Sequence, residues 1–300
     1  MGSPEIGAMV FENLLKDGVS FASVITQPDR PCGRGCKIKE TPVKELAQKH
    51  NIKTYLPADK KELTDIIKKI KPDLCIVSAY GMIIPKEALK IPKHGMINFH
   101  PSLLPKYRGP SPIMAPILNG DKETGVTIIQ VSEKMDAGDI LDQIKVPLKG
   151  AEITPALSKI LASIGSKMLL EIIPKIEKGE INPISQDDKK ATYTKIIKKE
   201  DGLISWANQS STEIERMSRA YQPWPGIYTI WNGKKIDLYE IKKSMSHIKP
   251  GFVTTKNNQI LIGTQDGAVA PGYLKIEGKK KLTSKEFICG YGNLNGSILK

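Results

Sequence analysis

The sequence predicts an α/β protein that carries a second, smaller β-domain, and three observations support this prediction. Short β-branched runs alternate with amphipathic helical segments up to about residue 178, a pattern typical of a parallel sheet wound with helices. From Gly226 onward, only short strand-like runs separated by Gly, Asn and Lys turns follow, which favours a small antiparallel barrel. A chain of 300 residues with 40% hydrophobic and 26% charged side chains is long enough for two such domains.

The elements of the first half follow from local patterns. Apolar residues at helical spacing over residues 6–17 predict a first helix, which Ser3 caps and Gly18 ends. The other predicted elements are strands over 19–26, 52–57, 73–81, 95–100 and 125–131 and helices over 42–50, 59–71, 155–178 and 211–221. The proline at position 174 predicts a bend or break near the end of the long helix.

Two stretches lack any periodicity. Residues 27–40 combine prolines, glycines and basic side chains, so we predict a long exposed loop there. Residues 182–203 are polar and predict a linker, which divides the chain into domains at 1–181 and 204–300.

The start of the chain departs from the doubly wound pattern. Such a fold normally opens with a strand that leads into the first tight turn and helix, whereas this sequence begins at the turn itself, Gly2-Ser3-Pro4. We therefore expect the first strand of the sheet to be missing, and we infer that the natural protein is a few residues longer.

The net charge and the number and spacing of the cysteines limit the classes of function that the sequence favours. A net charge of +13 favours an anionic partner such as nucleic acid, although a lysine-rich proteome gives the same surplus. No apolar stretch approaches the roughly 20 residues of a membrane helix, which argues against a membrane protein. Four scattered cysteines fit a reducing compartment, and Cys32 with Cys36 supplies only two of the four ligands of a structural zinc site, so we expect no metal.

Three polar residues form the candidate catalytic site. Asn98 and His100 are two residues apart at the end of a predicted strand, so their side chains share one face. Acyl transfer requires a hydrogen-bond donor to the oxyanion and a group that accepts and releases a proton. A side-chain amide and a neighbouring imidazole supply these two functions. Asp136, in a Gly-containing loop after a later strand, is placed to hold the imidazole. On spacing alone, these residues could equally be turn residues and a strand-end histidine.

Residues 98–105, Asn-Phe-His-Pro-Ser-Leu-Leu-Pro, together with Asp136, resemble the 10-formyltetrahydrofolate-dependent formyltransferases. The resemblance implies a Rossmann-like formyltransferase domain that uses 10-formyltetrahydrofolate as co-substrate and no metal. It also implies that Asn98 stabilises the oxyanion, that His100 takes the amine proton, and that Asp136 orients and charge-stabilises His100. The folate pocket would be lined by Ser102, Leu103, Leu104 and Pro105.

Two further segments are similar to the branch of this family that formylates methionyl-tRNA. Residues 26–35 resemble its inserted basic loop, which approaches the tRNA acceptor end, so Arg30, Arg34 and Lys37 are predicted tRNA contacts. Residues 219–226 resemble the entry to its OB-like, tRNA-binding C-terminal domain. The resemblance thus implies transfer of a formyl group to the α-amine of initiator methionyl-tRNA for translation initiation, by a cytoplasmic monomer.

Two other functions stay open at this level. A formyltransferase acting on a UDP-amino sugar shares the Asn-x-His and Asp pattern and can carry a similar C-terminal domain. The basic stretch 27–40 argues against it, because a small sugar nucleotide needs no such arm. A non-catalytic RNA-binding protein would use the basic β-domain alone, and the intact set of Asn98, His100 and Asp136 argues against that.

Overall fold

The computed structural model describes residues 1–32 and 37–300, and for residues 30–32, 37 and 38 it describes the backbone alone. The chain forms two compact units, each assembled from separate stretches of sequence. The first unit consists of Met1–Ile113, Glu123–Pro147 and Ala156–Lys195, and the second consists of Met114–Lys122, Leu148–Pro155 and Ile196–Lys300. Residues 182–195, within the stretch predicted to be a linker, are part of the first unit.

Helices occur in both units. The described residues form α1 (Glu5–Lys16), α2 (Pro42–Lys49), α3 (Lys60–Ile70), α4 (Lys86–Leu89), α5 (Met114–Asn119), α6 (Thr154–Lys178), α7 (Ser211–Ala220) and α8 (Ser284–Gly290). The long helix α6 continues through Pro174 without a break. Among the helices within the described ranges, none combines the length and the apolar character that a membrane span requires.

The strands of the first unit combine parallel and antiparallel pairings. They are β1 (Val24–Ile25), β2 (Arg30–Cys32), β3 (Lys37–Lys39), β4 (Thr54–Tyr55), β5 (Cys75–Val77), β6 (Met96–His100), β7 (Glu123–Gln130) and β8 (Ile140–Pro147). β1 pairs in parallel with β4, and β5 pairs in parallel with β6. β7 and β8 then add antiparallel pairings in the order β5-β6-β7-β8. The predicted α/β class with a parallel-rich sheet is confirmed, and β8 is a strand that the sequence did not predict.

The first two residues lie between two strands of the first unit. The amide of Gly2 donates to the carbonyl oxygen of Ile25 at 3.1 Å, and the amide of Ser78 donates to the carbonyl oxygen of Met1 at 2.8 Å. Gly2 also forms a parallel bridge with Ser78. Met1 and Gly2 therefore occupy the position between β1 and β5 at which the sequence analysis expects a first strand.

Two local predictions are wrong. Ser3 does not cap α1: Pro4 occupies the cap position, and the Ser3 hydroxyl instead donates to the carbonyl oxygen of Tyr80 and accepts from the amide of Gln27. A side chain that can bridge two distant segments satisfies more buried main-chain groups there than a local cap would. Within the stretch 27–40 predicted to be a loop, β2 and β3 are two short strands that pair antiparallel.

The second unit contains the antiparallel β-domain that the sequence predicts. Its strands are β9 (Ile227–Trp231), β10 (Lys234–Ser244), β11 (Val253–Lys256), β12 (Gln259–Gly263), β13 (Ala268–Ile276) and β14 (Leu282–Thr283). The order is β11-β12-β13-β10-β9, and β14 pairs with β13. Along β9, the buried residues Ile227, Thr229 and Trp231 alternate with partly exposed ones, as expected for a strand with one buried face.

The core of the first unit packs against the face of β6 that is opposite the candidate catalytic residues. Phe99 lies between Asn98 and His100 in β6, is 2% exposed, and points to the opposite face of the strand. Gly165 of α6 lies so close that a β-carbon there would overlap the ring of Phe99. A glycine at this helix position therefore sets how closely α6 packs against β6.

Replacement of Gly165 by alanine should destabilise the protein, although alanine is the better helix former. We expect Gly165→Ala to lower the free energy of unfolding by about 1–3 kcal/mol, because Phe99 must move in a packed core. The control is Ser163→Ala, an exposed position on the same helix, where we expect a change within about 0.5 kcal/mol. Urea unfolding of both variants measures the difference, and equal midpoints would contradict the close packing.

Candidate active site

The strand β6 presents Asn98 and His100 on one face near its carboxyl end. Side chains alternate along a strand, so residues two apart point the same way. β6 runs parallel to β5 and antiparallel to β7, so the direction of the sheet changes beside it. In open α/β sheets, ligands bind outside the carboxyl ends of the parallel strands.

The connection between β7 and β8 brings Asp136 to the same place. Its carboxylate oxygen Oδ1 lies 3.6 Å from Nδ1 of His100 and accepts a long hydrogen bond of 3.4 Å from Nδ2 of Asn98. Asp136 has a φ of 52°, in the left-handed region that non-glycine residues rarely adopt. The structure thus brings together all three residues that the sequence proposes as catalytic, although Asp136 is 38 residues beyond Asn98.

The second oxygen of the Asp136 carboxylate is held by the main chain. Oδ2 accepts a hydrogen bond of 2.8 Å from the amide of Gly109. Gly109 has a φ of 108°, and a β-carbon there would lie 2.9 Å from the carbonyl oxygen of Thr194. Glycine is therefore required at this position by both conformation and space. The sequence analysis did not identify this anchor.

The imidazole of His100 is fixed by another main-chain group that the sequence analysis missed. Its Nε2 lies 2.9 Å from the carbonyl oxygen of Tyr107, a residue that also has a left-handed backbone, with a φ of 63°. A carbonyl oxygen can only accept, so Nε2 carries the proton in the neutral ring. Nδ1 then keeps its lone pair on the side that faces Asp136. The carbonyl of Tyr107, rather than Asp136 alone, sets the tautomer.

These groups lie in largely desolvated surroundings. His100 is 4% exposed, and the side chain of Asp136 is 15% exposed. Electrostatic interactions are stronger where water is excluded, so a positive charge formed on His100 would interact strongly with the nearby carboxylate. An amide donor, an imidazole lone pair and a carboxylate in this arrangement can support acyl transfer to an amine.

The loop after β6 is held in place by buried hydrogen bonds. Ser102 is fully buried, and its hydroxyl donates to the carbonyl oxygen of Lys106 at 2.7 Å. The hydroxyl of Thr127 donates to the carbonyl oxygen of Ser102 and accepts from the amide of Leu104. The amide group of Gln143 donates to both the Thr127 hydroxyl and the Leu104 carbonyl oxygen. The buried Ser102 side chain therefore stabilises the conformation of this loop through a hydrogen bond within it.

The four predicted folate contacts differ in exposure. Ser102 and Leu104 are buried, whereas Leu103 and Pro105 are partly exposed. Leu103 and Pro105 are thus the two of the four that present more of their side chains at the surface of the loop.

Two of the three predicted tRNA contacts belong to the described strands β2 and β3. The backbones of Arg30 and Lys37 belong to β2 and β3, in which Arg30 is paired with Lys39 and Lys37 with Cys32. Arg34 lies outside the described residues, as does Cys36, the second cysteine of the pair considered as metal ligands.

Two protein-family models match the chain. Residues 2–173 match the model of the formyl transferase family, and residues 196–292 match that of its C-terminal domain. The first match alone spans more than half of the chain. The chain belongs to the formyl transferase family.

Curated relatives match over nearly the whole chain. A methionyl-tRNA formyltransferase of Halalkalibacterium halodurans is 40% identical over 98% of this chain and 94% of its own length. A methionyl-tRNA formyltransferase of Caldicellulosiruptor saccharolyticus is 38% identical over 100% of this chain and 98% of its own length.

Solved structures with the same fold are more distant in sequence. An N-formyltransferase from Helicobacter canadensis, in complex with folinic acid and dTDP-3-aminofucose, is 21% identical with a TM-score of 0.63, covering 90% of this chain and 96% of that chain. HypX from Aquifex aeolicus, in complex with tetrahydrofolic acid, is 23% identical with a TM-score of 0.61, covering 81% of this chain and 43% of that chain. At these identities, the likeness concerns the fold.

Two threonines of β7 provide a matched test of the loop anchor. Thr127→Val should lower the free energy of unfolding by about 1–3 kcal/mol, because it leaves buried main-chain groups of the loop unpaired. Thr124 is also buried, but its hydroxyl has no hydrogen-bond partner within the described part of the chain. Thr124→Val should therefore be neutral or slightly stabilising. Equal destabilisation in urea unfolding would show that the Thr127 hydroxyl does not anchor the loop.

Proposed function

We propose that this protein transfers the formyl group of 10-formyltetrahydrofolate to the α-amine of initiator methionyl-tRNA. The product would be the N-formylmethionyl-tRNA that starts translation. The proposal rests on the grouping of Asn98, His100 and Asp136 at the end of β6, in a chain whose nearly full-length relatives bear the name methionyl-tRNA formyltransferase.

His100 is the proposed general base. In the neutral ring the proton lies on Nε2, held by the Tyr107 carbonyl oxygen, so Nδ1 is free to accept a proton. As the amine of the methionyl group attacks the formyl carbon, its proton would pass to Nδ1, directly or through a water. The bond between the formyl carbon and N10 of the folate would then break, and N10 would take this proton from His100 as tetrahydrofolate leaves. Positioned proton transfer of this kind contributes about 10²–10⁴ in rate. The imidazolium that forms would face Oδ1 of Asp136, which stabilises its charge.

Asn98 is the proposed oxyanion donor. Its Nδ2 carries two hydrogens, and the hydrogen bond of 3.4 Å to Asp136 uses only one of them. The other can donate to the formyl oxygen, where negative charge develops during attack. The loss of one such donor typically costs about 10²–10³ in rate.

Residues 102–105 are the proposed folate-binding stretch. When bound, 10-formyltetrahydrofolate supplies an electrophilic formyl carbon. The partly exposed Leu103 and Pro105 would contact its ring system, which suits apolar neighbours, whereas Ser102 would act by holding the loop in shape. No metal takes part in this proposal, because the amide, the imidazole and the carboxylate supply the donor, the base and the counter-charge.

The proposed tRNA contacts are Arg30, Arg34 and Lys37, together with the β-domain of residues 204–300. Residues 1–181 would form most of the catalytic domain. Residues 182–203 would connect it to the β-domain, and the part of them up to Lys195 belongs to the first unit. The net charge of +13 supports a polyanionic substrate. We further propose that the protein works as a monomer in the cytoplasm, the compartment in which translation uses its product.

An acceptor panel tests the proposed substrate. The protein is incubated with formyl-folate and, in turn, methionyl initiator tRNA, a UDP-amino sugar and glycinamide ribonucleotide. We expect formyl transfer to the tRNA. Transfer only to the sugar or the ribonucleotide would overturn the proposed acceptor, and transfer to none of the three would favour a non-catalytic RNA-binding role.

Variants of the candidate base and its partner test the mechanism. His100→Ala and Asp136→Asn should each reduce kcat by at least about 100-fold, because general-base transfer is lost or no longer stabilised, while folate binding measured by calorimetry survives. Matched controls are His50→Ala and Asp65→Asn, both at exposed positions, which should keep normal turnover. Near-normal rates in His100→Ala or Asp136→Asn would refute the assignment.

The salt dependence of binding tests the basic stretch. The apparent affinity for tRNA should fall steeply as salt increases, whereas that for folate should not. Replacement of Arg30, Arg34 and Lys37 by alanine should lower the tRNA affinity and flatten this dependence, by about 0.7–0.9 in slope for each phosphate that is no longer neutralised. A triple replacement of Lys60, Lys61 and Lys68, exposed on α3, removes the same charge and serves as control. Equal effects of both triples would reject a specific role for the stretch.

A further inference from the structure

A polar segment of the first unit runs alongside the candidate active site. We call residues 184–195 the strap. The amide of Arg108 donates to the carbonyl oxygen of Thr192 at 2.9 Å, and the amide of Thr194 donates to the carbonyl oxygen of Arg108 at 2.8 Å. The amide of Tyr107 donates to the hydroxyl of Thr192 at 2.8 Å. The strap is therefore hydrogen-bonded to Tyr107, which holds His100, and to Arg108, which directly precedes the Gly109 that holds Asp136.

Arg108 is a buried charge whose side-chain hydrogen-bond partners, among the residues that the structure describes, belong to the strap. The residue is 2% exposed. Its Nε and Nη2 donate to the side-chain oxygen of Gln186 at 3.1 and 2.8 Å, and Nη2 also donates to Asp188 at 2.7 Å. Nη1 donates to the hydroxyl of Tyr193 at 3.3 Å. The hydrogen bond from the guanidinium lowers the pKa of Asp188 below its ordinary value. A buried guanidinium needs such partners, so Arg108 fixes the side chain of Gln186.

Gln186 in turn holds the turn that contains Asp136. Because its oxygen accepts from Arg108, the orientation of its amide group is determined, and Nε2 points to the turn. Nε2 donates to the carbonyl oxygens of Asp136 and Gly138 at 2.9 and 2.7 Å. These bonds hold the carbonyl groups on either side of Ala137, directly after the left-handed backbone of Asp136. They therefore help to hold the turn in a conformation that an isolated aspartate rarely adopts.

We propose that Gln186, oriented by Arg108, is a positioning residue that places the Asp136 carboxylate against His100 and Asn98. It acts through the main chain of Asp136 and does not touch the reacting atoms. The strap is thus part of the catalytic machinery of the first unit. This inference rests on the proposed role of Asp136 in formyl transfer.

The variant Gln186→Glu isolates the two hydrogen bonds to the turn. Glutamate has nearly the same shape and still accepts from Arg108, but it replaces the donating amide with an oxygen facing two carbonyl oxygens. We expect kcat to fall about 10–100-fold, the loss typical of a displaced catalytic group. The KM values for folate and for the acceptor should stay within about twofold, because Gln186 binds neither in this proposal. A kcat within about twofold of the unaltered protein would overturn the inference.

The matched control is Thr64→Val in α3 of the first unit. The hydroxyl of Thr64 also donates to a main-chain carbonyl oxygen, that of Lys60, at 2.9 Å. Thr64→Val should therefore suffer the same kind of local loss while kcat remains unchanged. If both variants lowered kcat equally, the effect of Gln186 would be a general one and the positioning role would be rejected.

A double-variant cycle separates positioning from general destabilisation. If Gln186 acts through Asp136, adding Gln186→Glu to Asp136→Asn should lower the residual single-turnover rate no further. If Gln186→Glu lowered the rate of Asp136→Asn by the same factor by which it lowers the rate of the unaltered protein, Gln186 would act independently of Asp136. The rates are measured with whichever amine acceptor the unaltered protein formylates, so a wrong choice of acceptor in the proposed function does not affect this test.

Hydrogen exchange gives a readout that needs no turnover. In Gln186→Glu, peptides covering residues 132–139 should exchange faster than in the unaltered protein, and in Thr64→Val they should not. Unchanged exchange would overturn the inference. If Gln186→Glu does not fold, Gln186→Asn replaces it: the amide is kept but shortened by one methylene, and the same faster exchange and reduced kcat are expected, with unchanged values counting against the role.

Discussion

The candidate active site depends on where one carboxylate is held. One oxygen of Asp136 faces His100 and Asn98, and the other accepts from the amide of Gly109. These groups come from three separate parts of the chain, so none of them can form the site by local folding. The left-handed backbone of Asp136 is unfavourable by itself, and the surrounding hydrogen bonds must offset it. The loops around β6 are consequently tied to one another rather than left free.

The reversal of direction beside β6 explains how such distant residues meet. The parallel pairing with β5 places the end of β6 at the edge where α/β sheets bind ligands, and the antiparallel pairing with β7 adds a hairpin on its other side. The turn of that hairpin reaches the face of β6 that carries Asn98 and His100. On the opposite face, Phe99 packs against α6 at Gly165. Packing on one face of β6, at Phe99, and hydrogen bonding on the other face, at Asn98 and His100, thus act on three consecutive residues of the strand.

The sequence predicts those parts of the site that are side chains at regular spacing. Asn98 and His100 can be assigned to one face because strand residues alternate, and the helices follow from apolar periodicity. The carbonyl oxygen of Tyr107 and the amide of Gly109 could not be predicted, because every residue except proline offers both groups. Only the folded structure determines which of these main-chain groups face His100 and Asp136. Ser3 shows the same limit, since its hydroxyl could serve a local cap or distant partners with equal chemistry.

The polar stretch after α6 shows why composition is a weak guide to function. Its residues are those expected of a linker, yet Gln186 bonds to a turn about 50 residues earlier in the chain, and Arg108 is buried because that stretch covers it. A polar segment buries little apolar surface, so periodicity cannot reveal that it is ordered. What orders it is hydrogen bonding to main-chain groups and to one buried guanidinium. Such bonds fix a geometry rather than supply much net stability, since each replaces a bond to water. Precision at His100 and Asp136 therefore derives from groups that neither the core nor the sequence pattern distinguishes.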